Sequence, residues 1–336
     1  MRTVALGPLT TLGIGGPAKR FERFTTVPEL AALLTTDEKV LVLGGGSNLV
    51  VSDAGWDGLV IQPANRAVTI GLFDDHAIVS AFAGASWDDF VAQMVSEGLA
   101  GLEALSGIPG LVGATPMQNV GAYGQEVADT IQFVRAYDRE RGELVKLSAA
   151  DCGFAYRSSI FKGSARWVIC EVSFKLPRST NGMPVKYAEL AKALAIAEGG
   201  TAPLASVREM IIALRRGKGM VVDPSDPESR SAGSFFTNPI VDAATAAMVE
   251  ARVGAKSPRW LQLDGSYKLA AAWLIERAGF AKGTTRGTVG ISHKHALALV
   301  NRGGATATEL LAFADEIIVG VHDRFGVTLV PEPMIV

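Results

Sequence analysis

Hydrophobic positions in the first part of the chain fall in short runs, and between these runs the spacing changes to the period of a helix. Residues 28–34 read as a helix start, and 39–43 as a buried strand leading straight into Gly44-Gly45-Gly46-Ser47-Asn48. A second apolar run follows at 49–51, and 59–63 reads as a strand ended by Pro63. A new unit opens near residue 64, with strands expected at 67–71 and 77–83. Asp88 and Asp89 then lie in the first turn of a helix ending near Gly98, with the sign the helix dipole favours. The polar stretch 138–142 between apolar runs at 131–137 and 143–147 is a hairpin signal, and 167–176 alternates as a further strand. Helical spacing marks 206–216, 243–253, 267–278 and 308–325; Ser266 is the expected N-cap of the third and Gly279 its stop. The prolines and aspartates of 223–227 read as a linker or loop near the start of a third unit. A strand is expected at 297–300, and Pro331 and Pro333 restrict the 327–336 tail to an edge or terminal strand.

Composition narrows the class. At 336 residues, 48% hydrophobic and 20% charged, the chain reads as a soluble globular protein of helices and strands in two or three domains. Its net charge of -2 argues against a nucleic-acid groove or a membrane-surface protein, since both need a basic excess. Cys152 and Cys170 sit among apolar residues and read as inert thiols in a reducing compartment. The N-terminus carries no apolar core of signal-peptide length and no window reaches membrane-spanning length, so a cytoplasmic protein is expected. His76, His293, His295 and His322 are scattered, and no metal site is expected.

Several segments could carry chemistry. The 44–48 turn follows a strand, where successive backbone N–H groups can converge on an anion; it lacks the spacing of a dinucleotide fingerprint and the lysine of a P-loop. A structural tight turn explains it equally well. A second glycine-rich run spans 106–124, and two such stretches bearing hydroxyls and carboxamides suit an extended ligand with phosphates and a flat ring system. Arg157, in Tyr156-Arg157-Ser158-Ser159-Ile160-Phe161-Lys162, needs an anion, either a protein carboxylate or one on a ligand. Ser234 lies between Gly233 and the ring pair Phe235-Phe236, so its hydroxyl either bonds the backbone in a turn or serves a reacting molecule. Glu332, between Pro331 and Pro333, is either an exposed edge residue or a buried carboxyl with a raised pKa.

Taken together and in order, these motifs resemble the UDP-N-acetylenolpyruvoylglucosamine reductases: the 43–49 turn, 106–124 with the Tyr156–Lys162 segment, Ala232–Pro239, and Pro331-Glu332-Pro333. Thr11-Leu12-Gly13-Ile14-Gly15-Gly16-Pro17 is similar to the family's N-terminal signature. The resemblance implies an α+β, three-domain FAD-binding flavoprotein of the vanillyl-alcohol-oxidase-like cofactor fold with a smaller α+β substrate domain. The FAD-binding parts would be 1–63, completed by a C-terminal strand within 326–336, and 64–218 with an inserted tyrosine loop; 219–325 would bind substrate. Non-covalent FAD and the co-substrate NADPH are implied, with UDP-N-acetylglucosamine enolpyruvate as the acceptor and a monomer as the expected state.

The resemblance also assigns roles. Ser234 would donate a proton, while Arg157 and Glu332 hold the substrate carboxylate and stabilise an enolate-like intermediate. FAD contacts would come from Gly44, Gly45, Gly46, Ser47 and Asn48, from Ile108, Pro109, Gly110, Gly113, Ala114, Gln118, Asn119, Gly121 and Ala122, and from Arg215. Substrate contacts would come from Tyr123, Tyr187 in the inserted loop, Lys218, Asn238 and His295. The segment 219–230 is longer than the family's compact form, and Ser292-His293-Lys294-His295 either lines the pocket or forms a surface turn. Two other readings compete: an FAD-dependent oxidase of the same fold, and a non-catalytic nucleotide-sugar-binding protein.

Overall fold

The computed structural model describes residues 3–336 and divides the chain into two compact units. Of the described residues, the first comprises 3–4, Ala18–Gly45 and Asp57–Gly217; the second comprises Ala5–Pro17, Gly46–Trp56 and Lys218–Val336.

In the first unit the helix Val27–Leu34 starts where local chemistry dictates. The Thr26 side chain accepts from the Glu29 amide, the Glu29 carboxylate accepts from the Thr26 amide, and Pro28 occupies the first turn. The strand Val40–Val42 pairs in parallel with Trp56–Pro63, aligning Leu41 with Val60. An antiparallel sheet of five strands forms the rest of the frame, in the order Glu143–Ser148, Ile131–Asp138, Trp167–Pro177, His76–Phe82, Val68–Leu72. The helix Trp87–Ser96 presents Trp87, Phe90, Val91 and Met94 as one apolar stripe. That stripe packs with Val79, Ala81, Val172 and Phe174 of the sheet; Phe90 and Phe174 lie 5.2 Å apart. Across the sheet Val172 faces Ala81, so the buried face is set by register. A smaller cluster joins Val185 and Leu190 to Val207 and Ile211 of the helix Leu204–Gly217.

The second unit is built around the helix Ala307–Phe325. Thr306 and Glu309 form a capping box, and the Asp53 carboxylate accepts from the amides of Ala307 and Thr308 at 2.7 and 2.9 Å. Leu310, Phe313, Ile317, Val321 and Phe325 share a core with Phe235, Phe236, Val289, Ile291 and Leu299. Val289–Ile291 pairs antiparallel with Leu299–Asn301, and at the tail Met334–Ile335 pairs in parallel with Leu49–Val50.

One expected element divides. The helix expected over 267–278 is a strand, Tyr267–Leu269, followed by a shorter helix, Ala271–Arg277, and Ser266 bonds Asp264 instead of capping it. The physical reason is tertiary. Tyr267–Leu269 is the middle strand between Ile240–Val241 and Arg259–Leu261, and the Asn238 carboxamide oxygen caps the new helix start by accepting from the Ala271 amide at 3.0 Å. The eight-residue strand Pro17–Phe24 carries Lys19, Arg20, Arg23 and Glu22 among its apolar positions, so the chain pattern did not announce it. Among the described residues no helix is long and apolar enough to cross a membrane, and no group of three His, Cys, Asp or Glu side chains could hold a metal ion.

Candidate active site

In the first unit the two glycine-rich stretches touch. A Cβ on Gly45 would stand 2.6 Å from the Gly110 Cα and 3.1 Å from its carbonyl carbon, and one on Gly44 would stand 3.3 Å from the Ala114 Cβ. Only paired glycines allow this backbone-on-backbone approach. The second stretch is docked in turn on the residues between strand and helix. The Trp87 amide donates to the Gly110 carbonyl at 3.0 Å, and Gly113, whose Cβ would meet Ala83 at 2.5 Å, donates to the Ala83 carbonyl. Asp88 secures its start, accepting from the Gly107 amide at 2.6 Å and from both terminal nitrogens of Arg208. Burial pushes the Asp88 carboxyl up, but the Arg208 and Gly107 bonds outweigh it and hold the group below its ordinary range. Half-buried Ile108, Pro109, Gly110, Gly113, Ala114 and Gln118 follow in this run, which ends in a 3-10 helix at Val112–Gln118. Close-set small residues with accessible backbone make a cradle that fits a flat, phosphate-bearing cofactor such as FAD.

The Asn119 side chain is engaged within the protein. It is buried with a left-handed backbone, φ 47°, and its carboxamide donates to Glu126 at 2.6 Å and accepts from the Ala128 amide. That ties off the run. Gly121 follows, and Arg157 Nη2 donates to its carbonyl at 2.9 Å. The Tyr156–Lys162 motif explains itself locally. Arg157 sits at φ 52°, Lys162 Nζ bonds its carbonyl, Ser159 Oγ donates to the Met117 carbonyl at 2.6 Å, and Phe161 is fully buried. Serine, phenylalanine and lysine thus hold a turn whose product is the direction of one guanidinium.

Tyr123, also left-handed at φ 50°, meets Tyr187 edge to face with ring centroids 5.3 Å apart. Tyr187 stands exposed at the start of the helix Ala188–Ala193. Buried Arg215, in the last turn of Leu204–Gly217, has its pKa pushed down to about 10 by burial, against the opposing charges of Tyr123 and Asp88. Ala122 lies in the short strand between Gly121 and Tyr123.

In the second unit Ser234 occupies a loop with backbone partners on both sides. The Phe235 amide donates to the Leu297 carbonyl at 2.7 Å, and the Phe235 carbonyl accepts from the Glu332 amide at 2.8 Å. Thr237 donates to the Val330 carbonyl at 3.0 Å, so the segment runs antiparallel to the tail and puts Ser234 and Glu332 in one neighbourhood. Phe235 and Phe236, at 0% and 1% exposure, peg the loop into the core, while Gly233 at φ 73° turns the chain just before the serine. Asn48 belongs to the same cluster. Its carboxamide donates to the Glu332 carbonyl at 3.4 Å, and its own carbonyl accepts from the Met334 amide. Gly46, φ 63°, is packed against Leu9 and Thr10, and half-buried Ser47 follows it. His295 Nδ1 accepts from the Leu297 amide at 3.0 Å, which leaves its ring proton on Nε2. Asn238 caps the helix at Ala271, and Lys218 is half-buried at the start of the unit's long C-terminal segment.

Sequence reasoning missed three groups that order these loops. Asp88 was read only as a helix-dipole residue. Buried Glu103 accepts from the amides of Gly101 and Met183, both at 2.6 Å, and from Gln125 at 2.8 Å, so it fastens the segment leading to Tyr187. Buried Glu228 gathers Ser292, His293 and Arg302. No local signal marks them, because most of their partners lie far along the chain: Met183 is 80 residues from Glu103, Arg208 is 120 from Asp88 and Ser292 is 64 from Glu228.

Comparison with known proteins agrees with this geometry. Residues 23–148 match the model of an FAD binding domain, and residues 224–336 match that of the UDP-N-acetylenolpyruvoylglucosamine reductase C-terminal domain. The chain is 53% identical to the UDP-N-acetylenolpyruvoylglucosamine reductase of Thermobifida fusca, over 100% of this chain and 97% of that protein. It is 49% identical to that of Salinispora arenicola, over 98% and 94%. The crystal structure of the reductase from Thermus caldophilus superposes with a TM-score of 0.69 at 26% identity, covering 99% of this chain and 98% of the other. The paired glycine loops, the Ser234 segment and the Glu332 tail are therefore those of an α+β FAD-binding flavoprotein, and this chain belongs to the UDP-N-acetylenolpyruvoylglucosamine reductase family.

Proposed function

We propose that the chain reduces the enolpyruvyl double bond of UDP-N-acetylglucosamine enolpyruvate to give UDP-N-acetylmuramate, a peptidoglycan precursor, with Ser234 as proton donor. Residues 1–63 with 326–336, and 64–218, are assigned to FAD, and 219–325 to substrate. When bound, FAD supplies the redox chemistry, taking two electrons from NADPH and returning them as hydride to the vinyl carbon. The glycine pairs Gly44–Gly45 and Gly110–Gly113, with Ser47 and Arg215, are the residues proposed to hold it.

The chain's own part is acid and charge chemistry. Adding hydride to the terminal carbon leaves an electron pair on the carbon next to the carboxylate, and a proton must reach that carbon. A serine hydroxyl is a weak acid in water; beside a carbanion in a water-poor loop its proton transfer becomes feasible. The observation that carries the assignment is the Phe235 carbonyl to Glu332 amide bond, which seats a carboxyl-bearing residue next to the Ser234 loop. Glu332 and Arg157 are assigned to the substrate carboxylate and the enolate that develops from it, where the fixed positive charge of Arg157 contributes about 3–4 kcal/mol. Tyr123, Tyr187, Lys218, Asn238 and His295 are assigned to the remaining polar groups of the nucleotide sugar. A cytoplasmic monomer is the form we propose.

Ser234→Ala should lower turnover by roughly two or more orders of magnitude while FAD stays bound. Stopped-flow absorbance should show flavin reduction by NADPH intact and reoxidation by the enolpyruvyl substrate lost. Near-normal turnover would remove Ser234 from the mechanism.

A further inference from the structure

We propose that Glu228 is a positioning residue for Ser234: its carboxylate locks the turn at residues 292–297, and that turn holds the serine loop. The proposal rests on the reading of Ser234 as the proton donor.

Glu228 lies in 219–230, the segment longer than the family's compact form, within a 3-10 turn at Pro227–Ser229. A carboxylate there would be costly to bury without partners, and it has one for each lone-pair direction. Oε2 accepts from Ser292 Oγ at 2.6 Å and from the His293 amide at 2.8 Å. Oε1 accepts from Arg302 Nη1 and lies 3.0 Å from His293 Nδ1. Arg302 Nη2 reaches on to the Ile291 carbonyl at 2.9 Å, so the guanidinium bridges the carboxylate to the adjoining strand. Two residues upstream of Glu228, Asp226 accepts from Lys294 Nζ at 2.8 Å. One short segment therefore grips three successive residues of the turn, Ser292, His293 and Lys294.

The grip is passed on by backbone. Ser292 donates to the Ala298 carbonyl at 2.8 Å and Leu297 donates to His295 Nδ1, which closes the turn. The Leu297 carbonyl is the acceptor for the Phe235 amide at 2.7 Å. Further back, the Asn301 amide donates to the Arg230 carbonyl at 3.0 Å. The chain from 228 to 235 is thus a loop fastened to one hairpin, at the ends of its strands through Glu228 and Arg230 and at its 292–297 turn through Phe235, and Ser234 sits one residue before the second fastening. Without the carboxylate, the first end keeps only its backbone pairing, Arg230 with Asn301 and Ser231 with Val300, and the 292–297 turn loses its side-chain clamp. A proton donor must hold its hydroxyl against one carbon within a few tenths of an ångström, so such loosening lowers the rate of proton delivery. It leaves flavin reduction alone, because no proton from Ser234 is used there.

The test is Glu228→Gln in the FAD-loaded protein, read in both half-reactions and by hydrogen exchange of the 231–237 segment. The expected result is reduction by NADPH at the wild-type rate, reoxidation by UDP-N-acetylglucosamine enolpyruvate slowed roughly tenfold or more, and a larger solvent deuterium isotope effect on reoxidation. Exchange at the Phe235 amide should quicken. A role limited to general stability would slow neither half-reaction selectively nor enlarge the isotope effect. Should Glu228→Gln not retain FAD, Ser292→Ala removes a single bond from the cluster and is read the same way, with a smaller slowing. Wild-type reoxidation or unchanged exchange in the folded variant overturns the proposal. Ser234→Ala run alongside separates the two ideas: if it reoxidises normally, the proton-donor reading fails; if it does not while Glu228→Gln does, the positioning role alone fails.

Discussion

Gly45→Ala tests the contact between the two glycine-rich loops. The added methyl would stand 2.6 Å from the Gly110 Cα, and its nearest three neighbours are all backbone atoms of Gly110. No rotamer can relieve that contact, so one loop must move. Reaching the 3.4 Å of ordinary van der Waals contact requires 3.4 − 2.6 = 0.8 Å of backbone displacement. Forcing a methyl into a packed site costs about 1–3 kcal/mol. If that cost falls on the geometry that receives the cofactor, FAD affinity drops roughly 5- to 150-fold, at about 1.4 kcal/mol per factor of ten. Two glycines calibrate the effect. Gly44→Ala meets only the Ala114 methyl at 3.3 Å and should lose little, while Gly217→Ala, with nothing within 4 Å at the end of a helix, should be neutral or slightly stabilising. Titrating FAD into the stripped protein by flavin fluorescence, with thermal unfolding of the same samples, gives both readouts. A Gly45→Ala protein that binds FAD within about twofold of wild type and melts at the wild-type temperature refutes the cradle.

Two further outcomes follow from cited contacts. Asn238→Ala removes the acceptor for the Ala271 amide and should cost about 1 kcal/mol of stability, measured by urea unfolding; an unchanged midpoint would show that the cap is dispensable. For Glu228, burial raises the carboxyl pKa, but the bonds from Ser292, His293 and Arg302 prevail and bring it from 4.5 down to about 2. A depressed folded-state pKa means the contribution is present above about 4.5 and is lost as pH falls from there toward 2. The stability gap between wild type and Glu228→Gln should therefore hold steady near neutrality and shrink across that acid window in thermal melts at stepped pH. A gap that ignores pH contradicts the assignment.

The legible parts of the chain were those whose signal is local. The helices expected from 28 and from 308 begin within one residue of those positions, because the capping boxes that start them, Thr26 with Glu29 and Thr306 with Glu309, each lie within one turn. The strand runs at 131–137, 143–147 and 167–176 emerged within a residue or so of their bounds. Helical spacing at 267–278 misled, because a strand partner on each side of Tyr267–Leu269 outweighs a weak helical pattern. Pro17–Phe24 escaped notice for the complementary reason: a strand paired in a sheet tolerates Lys19 and Arg23 at exposed positions and half-buried Arg20 and Glu22 in an ion pair.

The same division runs through the site. Sequence alone determined which residue types stand in which motifs, and through their resemblance it pointed to the family and to Ser234, Arg157 and Glu332. Each motif constrains its own few dihedrals: glycine at a positive φ before Ser234, or, in the Arg157 turn, the Ser159 hydroxyl accepting from the Phe161 amide and the Lys162 ammonium bonding the Arg157 carbonyl. Tertiary structure alone decided that Gly45 lies on Gly110, that the tail runs beside Phe235, and that Glu228 fastens the 292–297 turn. Those pairings close loops of many tens of residues, and their stability comes from shape and partner satisfaction at the point of contact, which no window of sequence contains.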